Sequence, residues 1–111
     1  MFAVDQKPVS VAAYRTVFAD HKQAGNAEDP VVNVKYDRAR SFAKTKGNRL
    51  LRAEEWQLAS TTAGFVAAPA SLLEWVEPRD DRKNVVQHGK AEARPETQEY
   101  KDVTFRMARD I

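Results

Sequence analysis

Apolar side chains recur at helical spacing in three segments of the chain. The first follows Ser10, a residue type that commonly caps a helix, and its apolar face extends over residues 11–21. The second follows Asp37, which stands where an N-cap would, and ends near Gly47, which takes the left-handed conformation without strain. The third covers residues 53–61. The pattern therefore predicts two or three short helices.

Strands are predicted where apolar and polar residues alternate or where β-branched residues cluster. These segments are residues 2–5, 31–34, 72–77, 84–88 and 103–108. The stretches between them are rich in small, charged or turn-forming residues and predict loops, at residues 62–71, 79–83 and 90–102. The whole pattern indicates an α+β fold: a small, twisted, largely antiparallel sheet carries the helices, and the N- and C-terminal strands pair.

The large aromatic residues indicate one hydrophobic core. At 111 residues the chain has the length of a single domain. We expect its main aromatic side chains to be buried together, namely Tyr14, Phe18, Phe42, Trp56, Trp75 and Phe105.

Charge and cysteine content exclude several classes of function. The formal net charge is only +2, from 18 basic and 16 acidic residues, and the cations are interspersed with acids. This distribution is not typical of nucleic-acid binding. The chain has no cysteine, which excludes a disulfide, a thiolate metal site and a cysteine nucleophile. It lacks a signal-like start and the roughly 20 apolar residues of a membrane span, so it is expected in the cytoplasm unless it is part of a longer exported protein.

Candidate metal ligands are sparse. The two histidines, His21 and His88, lie far apart in the sequence. Asp80 and Asp81 are adjacent acids in a charged turn, whereas calcium requires 6–8 oxygen ligands. We therefore expect no metal and no cofactor.

Several segments, in order, resemble the formylglycine-generating enzyme/sulfatase-modifying factor family. The most specific match is GNRLLRAEEW at residues 47–56, which is similar to the family's GKRLPTEAEW. The PVVNV run at residues 30–34, Glu74-Trp75-Val76 and FRMAR at residues 105–109 are similar to further family segments. The resemblance covers nearly the whole chain and implies a C-type lectin-like fold. It also implies that Leu51 and Arg52 replace the Pro and Thr that begin the family's helix, so the usual N-cap is missing.

The same resemblance argues against the family's chemistry. Its catalytic members use a cysteine pair that binds copper, and a related branch uses a histidine-rich iron site. This chain has no cysteine and only two isolated histidines. The segment between Trp56 and Trp75 is also shorter than in the enzymes. Arg49 and Glu55 resemble a catalytic pair, but we expect them to fasten the helix start to neighbouring strands.

Two functional hypotheses follow. The first is a non-catalytic binding module that presents residues 62–71 and 79–102 to a protein or other macromolecule. Its expected contact residues are Arg79, Arg82, His88, Lys90, Arg94 and Tyr100. The alternative is a degenerate or unrecognised enzyme, or an enzyme-associated subunit, in which Glu54, Glu55 or Glu74 meets His88 in a cleft.

Overall fold

Three short helices and seven short strands alternate along the chain. The computed structural model describes residues 2–78 and 82–111. In chain order the elements are β1 (Phe2–Val4), α1 (Val11–Arg15), α2 (Tyr36–Thr45), β2 (Arg49–Leu50), α3 (Ala53–Ser60), β3 (Leu73–Trp75), β4 (Val85–Gln87), β5 (Lys90–Glu92), β6 (Val103–Thr104) and β7 (Met107–Asp110). The α+β class predicted from the sequence is confirmed.

One sheet joins the two ends of the chain. Its three strands lie in the order β1-β7-β2, and both pairings are antiparallel. Ala3 lies opposite Arg109, and Leu50 lies opposite Met107. The predicted pairing of the terminal strands is therefore confirmed.

A second sheet corrects the expectation of a single sheet. Its four strands lie in the order β5-β4-β3-β6, and the β3–β6 pairing is parallel. The segment 103–108, expected as one strand, contributes β6 to this sheet and β7 to the first. Phe105 and Arg106 lie between these strands and are fully buried, because the chain crosses the interior there. Strand β5 lies within the expected loop 90–102 and pairs with β4 across Gly89, whose φ is +72°.

The helix boundaries differ from the predictions in two places. Helix α1 ends at Arg15 rather than continuing to His21, and the Arg15 guanidinium donates to the His21 carbonyl at 3.0 Å as the chain turns back. Ser10 is its N-cap, as predicted, and its side chain accepts from the Ala13 N–H. Helix α2 begins one residue after Lys35, so Asp37 lies in the first turn rather than at the cap. A carboxylate is favourable in that turn because it faces the positive end of the helix dipole.

The buried aromatic residues divide between two clusters. Tyr14, Phe42, Trp75 and Phe105 belong to the larger cluster, and half-buried Phe18 packs against it. Trp56 lies in a smaller cluster with Leu51, Ala59, Val76, Val86 and Ala108, so the expectation that all six aromatics share one core is wrong. Successive side chains of a strand point to opposite faces, and the second sheet therefore supplies both clusters.

Candidate functional site

A buried ion pair between Arg106 and Glu74 joins β3 of the second sheet to two loops. One is the segment after β1, which contains Gln6, and the other is the loop 61–72, which contains Val66. Arg106 donates to both carboxylate oxygens of Glu74, at 2.7 and 2.9 Å, and the two side chains are 0% and 2% exposed. The same guanidinium donates to the Gln6 carbonyl at 2.8 Å and the Val66 carbonyl at 2.9 Å. It also lies 3.9 Å from the centroid of the Phe65 ring. Arg106 is therefore an interior residue, whereas the alternation of apolar and polar residues in segment 103–108 predicts that its side chain faces outward.

The pair lies beside a groove between the loop 61–72 and strand β4. The groove has a volume of about 390 Å³. Its lining is mostly apolar or small and comprises Trp56, Ala67, Ala68, Ala70, Leu72, Glu74, Val86, Gln87 and His88. The Gln87 amide donates to the Leu72 carbonyl at 3.1 Å, and this bond fixes the loop against the strand. Parts of both segments proposed from the sequence as a binding surface, residues 62–71 and 79–102, therefore line the groove, together with Trp56, Leu72 and Glu74.

Trp56 forms a buried wall of the groove. It is 3% exposed, and no described residue accepts a hydrogen bond from its indole Nε1. Its ring meets His88 edge-on at 6.0 Å and Phe65 at 5.6 Å, measured between centroids. A buried donor without an acceptor is uncommon in folded proteins. Trp56 was expected only as a core residue, and nothing in the sequence distinguishes a core indole from one that also lines a groove.

Of the predicted contact residues that the structure describes, His88 alone lines this groove. His88 is exposed and directly follows β4, and Lys90 is the first residue of β5. The Lys90 ammonium lies 2.9 Å from a Glu92 carboxylate oxygen. Arg82 is exposed, with a φ of +59°. Arg79 lies outside the described residues.

Arg94 and Tyr100 form a separate cluster. Arg94 donates to both carboxylate oxygens of Asp102, at 2.7 and 3.0 Å, and to Glu92 at 3.0 Å. Its guanidinium lies 5.0 Å from the Tyr100 ring centroid, and the Tyr100 hydroxyl donates to the Pro95 carbonyl. The hydrogen bonds from Arg94 lower the pKa of Asp102 below its ordinary value. The Arg94 side chain is only 19% exposed, so it is a half-buried structural cation rather than the exposed charge expected.

The Arg49–Glu55 pair fastens helix α3 to the first sheet, as expected. Arg49 donates to the two Glu55 oxygens at 2.6 and 2.8 Å and to Asp110 on β7 at 2.9 Å. Glu55 also accepts from the Arg52 backbone N–H at 2.8 Å, which replaces part of the missing N-cap. The hydrogen bonds from Arg49 lower the pKa of Glu55. This carboxylate is fully engaged in holding the helix start.

Glu74 is the one carboxylate of the alternative hypothesis that shares the groove with His88. In residues 2–78 and 82–111, no three histidine or acidic side chains are arranged to hold a metal ion. No helix in that part of the chain is both long and apolar enough to cross a bilayer.

Comparison with known proteins identifies one family. The family model described as the sulfatase-modifying factor enzyme 1-like domain matches residues 1–108 of this chain. No curated protein and no solved structure gives a significant match.

Proposed function

The chain belongs to the sulfatase-modifying factor family and has its C-type lectin-like fold, and from that premise we propose that it is a non-catalytic binding module. Its ligand is an acidic segment of a protein partner. The segment places one apolar side chain in the groove between the loop 61–72 and β4. The observation that carries the proposal is this mostly apolar groove, which has Trp56 as its buried wall.

The groove has the chemistry of a peptide-anchor pocket. Trp56, Leu72 and Val86 supply apolar surface, and the small side chains of Ala67 and Ala68 leave room above it. Interface energy is usually concentrated where an aromatic or aliphatic side chain fills such a pocket. The ion pair and the Gln87 hydrogen bond hold the walls in place, so binding orders few groups of this protein.

Charge beside the groove favours an acidic ligand. Residues 82–91 contain Arg82, Lys83, His88 and Lys90 but no acid. His88 lines the groove, and Lys90 lies two residues beyond it at the start of β5, where it pairs with Glu92. Exposed cations such as Arg82 and Lys90 raise the association rate with an acidic partner and orient it.

The missing chemistry supports a binding role. The family's cysteine-dependent reaction has no cysteine in this chain to perform it. Glu74 is the carboxylate that lines the groove and could act there as a general base, but it accepts two hydrogen bonds from Arg106.

The test uses a random peptide library displayed against the full chain. We expect enriched peptides to share one apolar residue flanked by acids, and to bind less tightly as salt increases. Ala67 is exposed, and Ala67→Trp should fill the groove with the new side chain. This variant should reduce the affinity for the enriched peptides at least about tenfold, the effect of losing one anchor contact. Ala24→Trp, at an exposed position outside the groove, is the matched control.

Charge is tested separately. Lys90→Glu should weaken binding mainly through the association rate, whereas Lys44→Glu on α2 should not. Enrichment of no peptide, or of peptides that bind Ala67→Trp as well as the parent chain, would contradict the proposal.

A degenerate enzyme remains the second candidate, because His88 and Glu74 line the same groove. An imidazole and a carboxylate in one cleft are the usual components of general acid–base catalysis. Turnover of any small substrate that is abolished by both His88→Ala and Glu74→Gln would favour this function over the binding module. Both variants must keep the circular dichroism spectrum of the parent chain.

A further inference from the structure

A second, polar cleft lies between the turn that follows α1 and the start of α2. Its volume is about 300 Å³, at the lower end of the range for small-molecule pockets. Its lining is mainly polar and charged and includes Tyr14, Asp20, His21, Lys22, Lys35, Arg38 and Glu99. None of these residues lines the groove described above.

The Tyr14 hydroxyl is the first indication of a ligand. Tyr14 is 3% exposed, and no described residue forms a hydrogen bond with its hydroxyl. The hydroxyl oxygen is not among the fully buried polar atoms that lack a partner, so its remaining exposed surface faces open space. Burial raises the pKa of Tyr14 to about 12, so the hydroxyl keeps its proton and remains a donor. Tyr14 lines the cleft together with the charged residues Arg38, Glu99 and Asp20.

Positive charge is gathered on one wall. Arg38 lies 4.8 Å from the Phe18 ring centroid, which holds its guanidinium in place. Lys35 is the N-cap of the ten-residue helix α2 and gives no side-chain hydrogen bond to its first turn. The backbone N–H groups at a helix start carry partial positive charge and favour an anion.

Hydrogen bonds hold both walls of the cleft. The Trp75 indole donates to the Val34 carbonyl at 2.9 Å, next to the start of α2. On the other wall, Arg15 donates to the His21 carbonyl, and Gln23 bonds the His21 ring at 3.2 Å. The His21 ring meets Tyr14 edge-on at 4.9 Å between centroids. A cleft arranged in advance in this way loses little freedom when it binds a ligand.

We propose that this cleft binds a small molecule through a carboxylate, which accepts hydrogen bonds from the Tyr14 hydroxyl and the Arg38 guanidinium beside the start of α2. Asp20 and Glu99 on the cleft lining select against phosphate, because a second negative charge on the ligand increases the repulsion. The proposal is independent of the peptide groove.

The experiment titrates the isotope-labelled full chain with sodium acetate at constant ionic strength and follows backbone amide shifts by NMR. We expect saturable shifts at Tyr14, His21 and the first turn of α2. Inorganic phosphate in a parallel titration should bind more weakly than acetate.

Variants separate binding from folding. Tyr14→Phe should weaken acetate at least about tenfold, the effect of losing a hydrogen bond to a charged group. It should leave the thermal midpoint unchanged or higher, because the deleted hydroxyl has no protein partner among the described residues. Arg38→Met should also weaken binding, whereas Arg40→Met, on the same helix but outside the cleft, should not.

Three results would overturn the inference. They are the absence of saturable shifts in the cleft, equal acetate affinity of the parent chain and Tyr14→Phe, and tighter binding of phosphate than of acetate.

Discussion

Replacing Arg106 with Met should strongly destabilise this protein, because Arg106 is half of a buried ion pair. The substitution keeps an unbranched apolar stem but removes every hydrogen bond that the guanidinium makes. It leaves the Glu74 carboxylate, 2% exposed, without its partner. The carbonyls of Gln6 and Val66 lose their donor at the same time.

The expected magnitude follows from that burial. Removing one partner of a buried, hydrogen-bonded ion pair costs about 3–5 kcal/mol, because the remaining charge is buried and unpaired. The free energy of unfolding of an ordinary domain is about 5–15 kcal/mol, so the substitution should remove a large part of the stability of this protein. Replacing both partners, as in Glu74→Met with Arg106→Met, removes the unpaired charge and should recover much of the loss.

Urea denaturation followed by circular dichroism measures these differences. Arg109→Met is the matched control, since Arg109 is exposed on β7 and its replacement should change the free energy of unfolding by less than about 0.5 kcal/mol. The reasoning would be refuted if Arg106→Met cost less than about 1 kcal/mol, below the range for any buried pair. It would equally fail if the double variant lost as much as the two single losses together.

Three further predictions use the same denaturation assay. Trp56→Ala should cost about 3–5 kcal/mol, the range for a large buried aromatic, and a midpoint close to that of the parent chain would show that Trp56 does not anchor the smaller cluster. Arg82→Glu should change stability by less than about 0.5 kcal/mol, whereas Arg94→Glu should cost roughly 2 kcal/mol because it breaks half-buried ion pairs; equal effects would contradict this distinction. Glu55→Gln should cost about 2 kcal/mol at pH 7. Arg49 lowers the pKa of Glu55 in the folded state, so this contribution is present above the unfolded carboxyl's pKa of about 4.3 and is lost as pH falls through the folded value. A difference between parent and Glu55→Gln that persists at low pH would refute that assignment.

Local pattern was sufficient for much of the fold. Ser10 predicted the start of α1, and the spacing of small and apolar residues predicted α3 to within a residue of its end. The alternation Leu73-Glu74-Trp75-Val76 predicted a strand with two different faces. The motif at residues 47–56 indicated the family that the whole-chain match supports. Each of these signals lies within one turn or one strand, where the periods of helix and strand act directly on the sequence.

Tertiary structure decided where each face and each charge is placed. No local signal indicates that Trp56 and Trp75 lie in separate clusters, because both are simply inward-facing aromatics in their own segments. The burial of Arg106 depends on Glu74, 32 residues earlier, and on carbonyls near the N-terminus.

The groove likewise required distant segments to meet. Residues 61–72 have no helical or strand period, and their position is fixed by hydrogen bonds to Gln87 and Arg106 rather than by their own sequence. The sequence likewise could not predict that the Tyr14 hydroxyl has no hydrogen bond to a described residue, because this depends on which distant groups pack beside it. The sequence by itself indicated most of the helices and strands, but not β5 or the division of residues 103–108 between two sheets. Only packing determined which side chains are buried, paired or left facing a cleft, because desolvation and pairing are set by neighbours far along the chain.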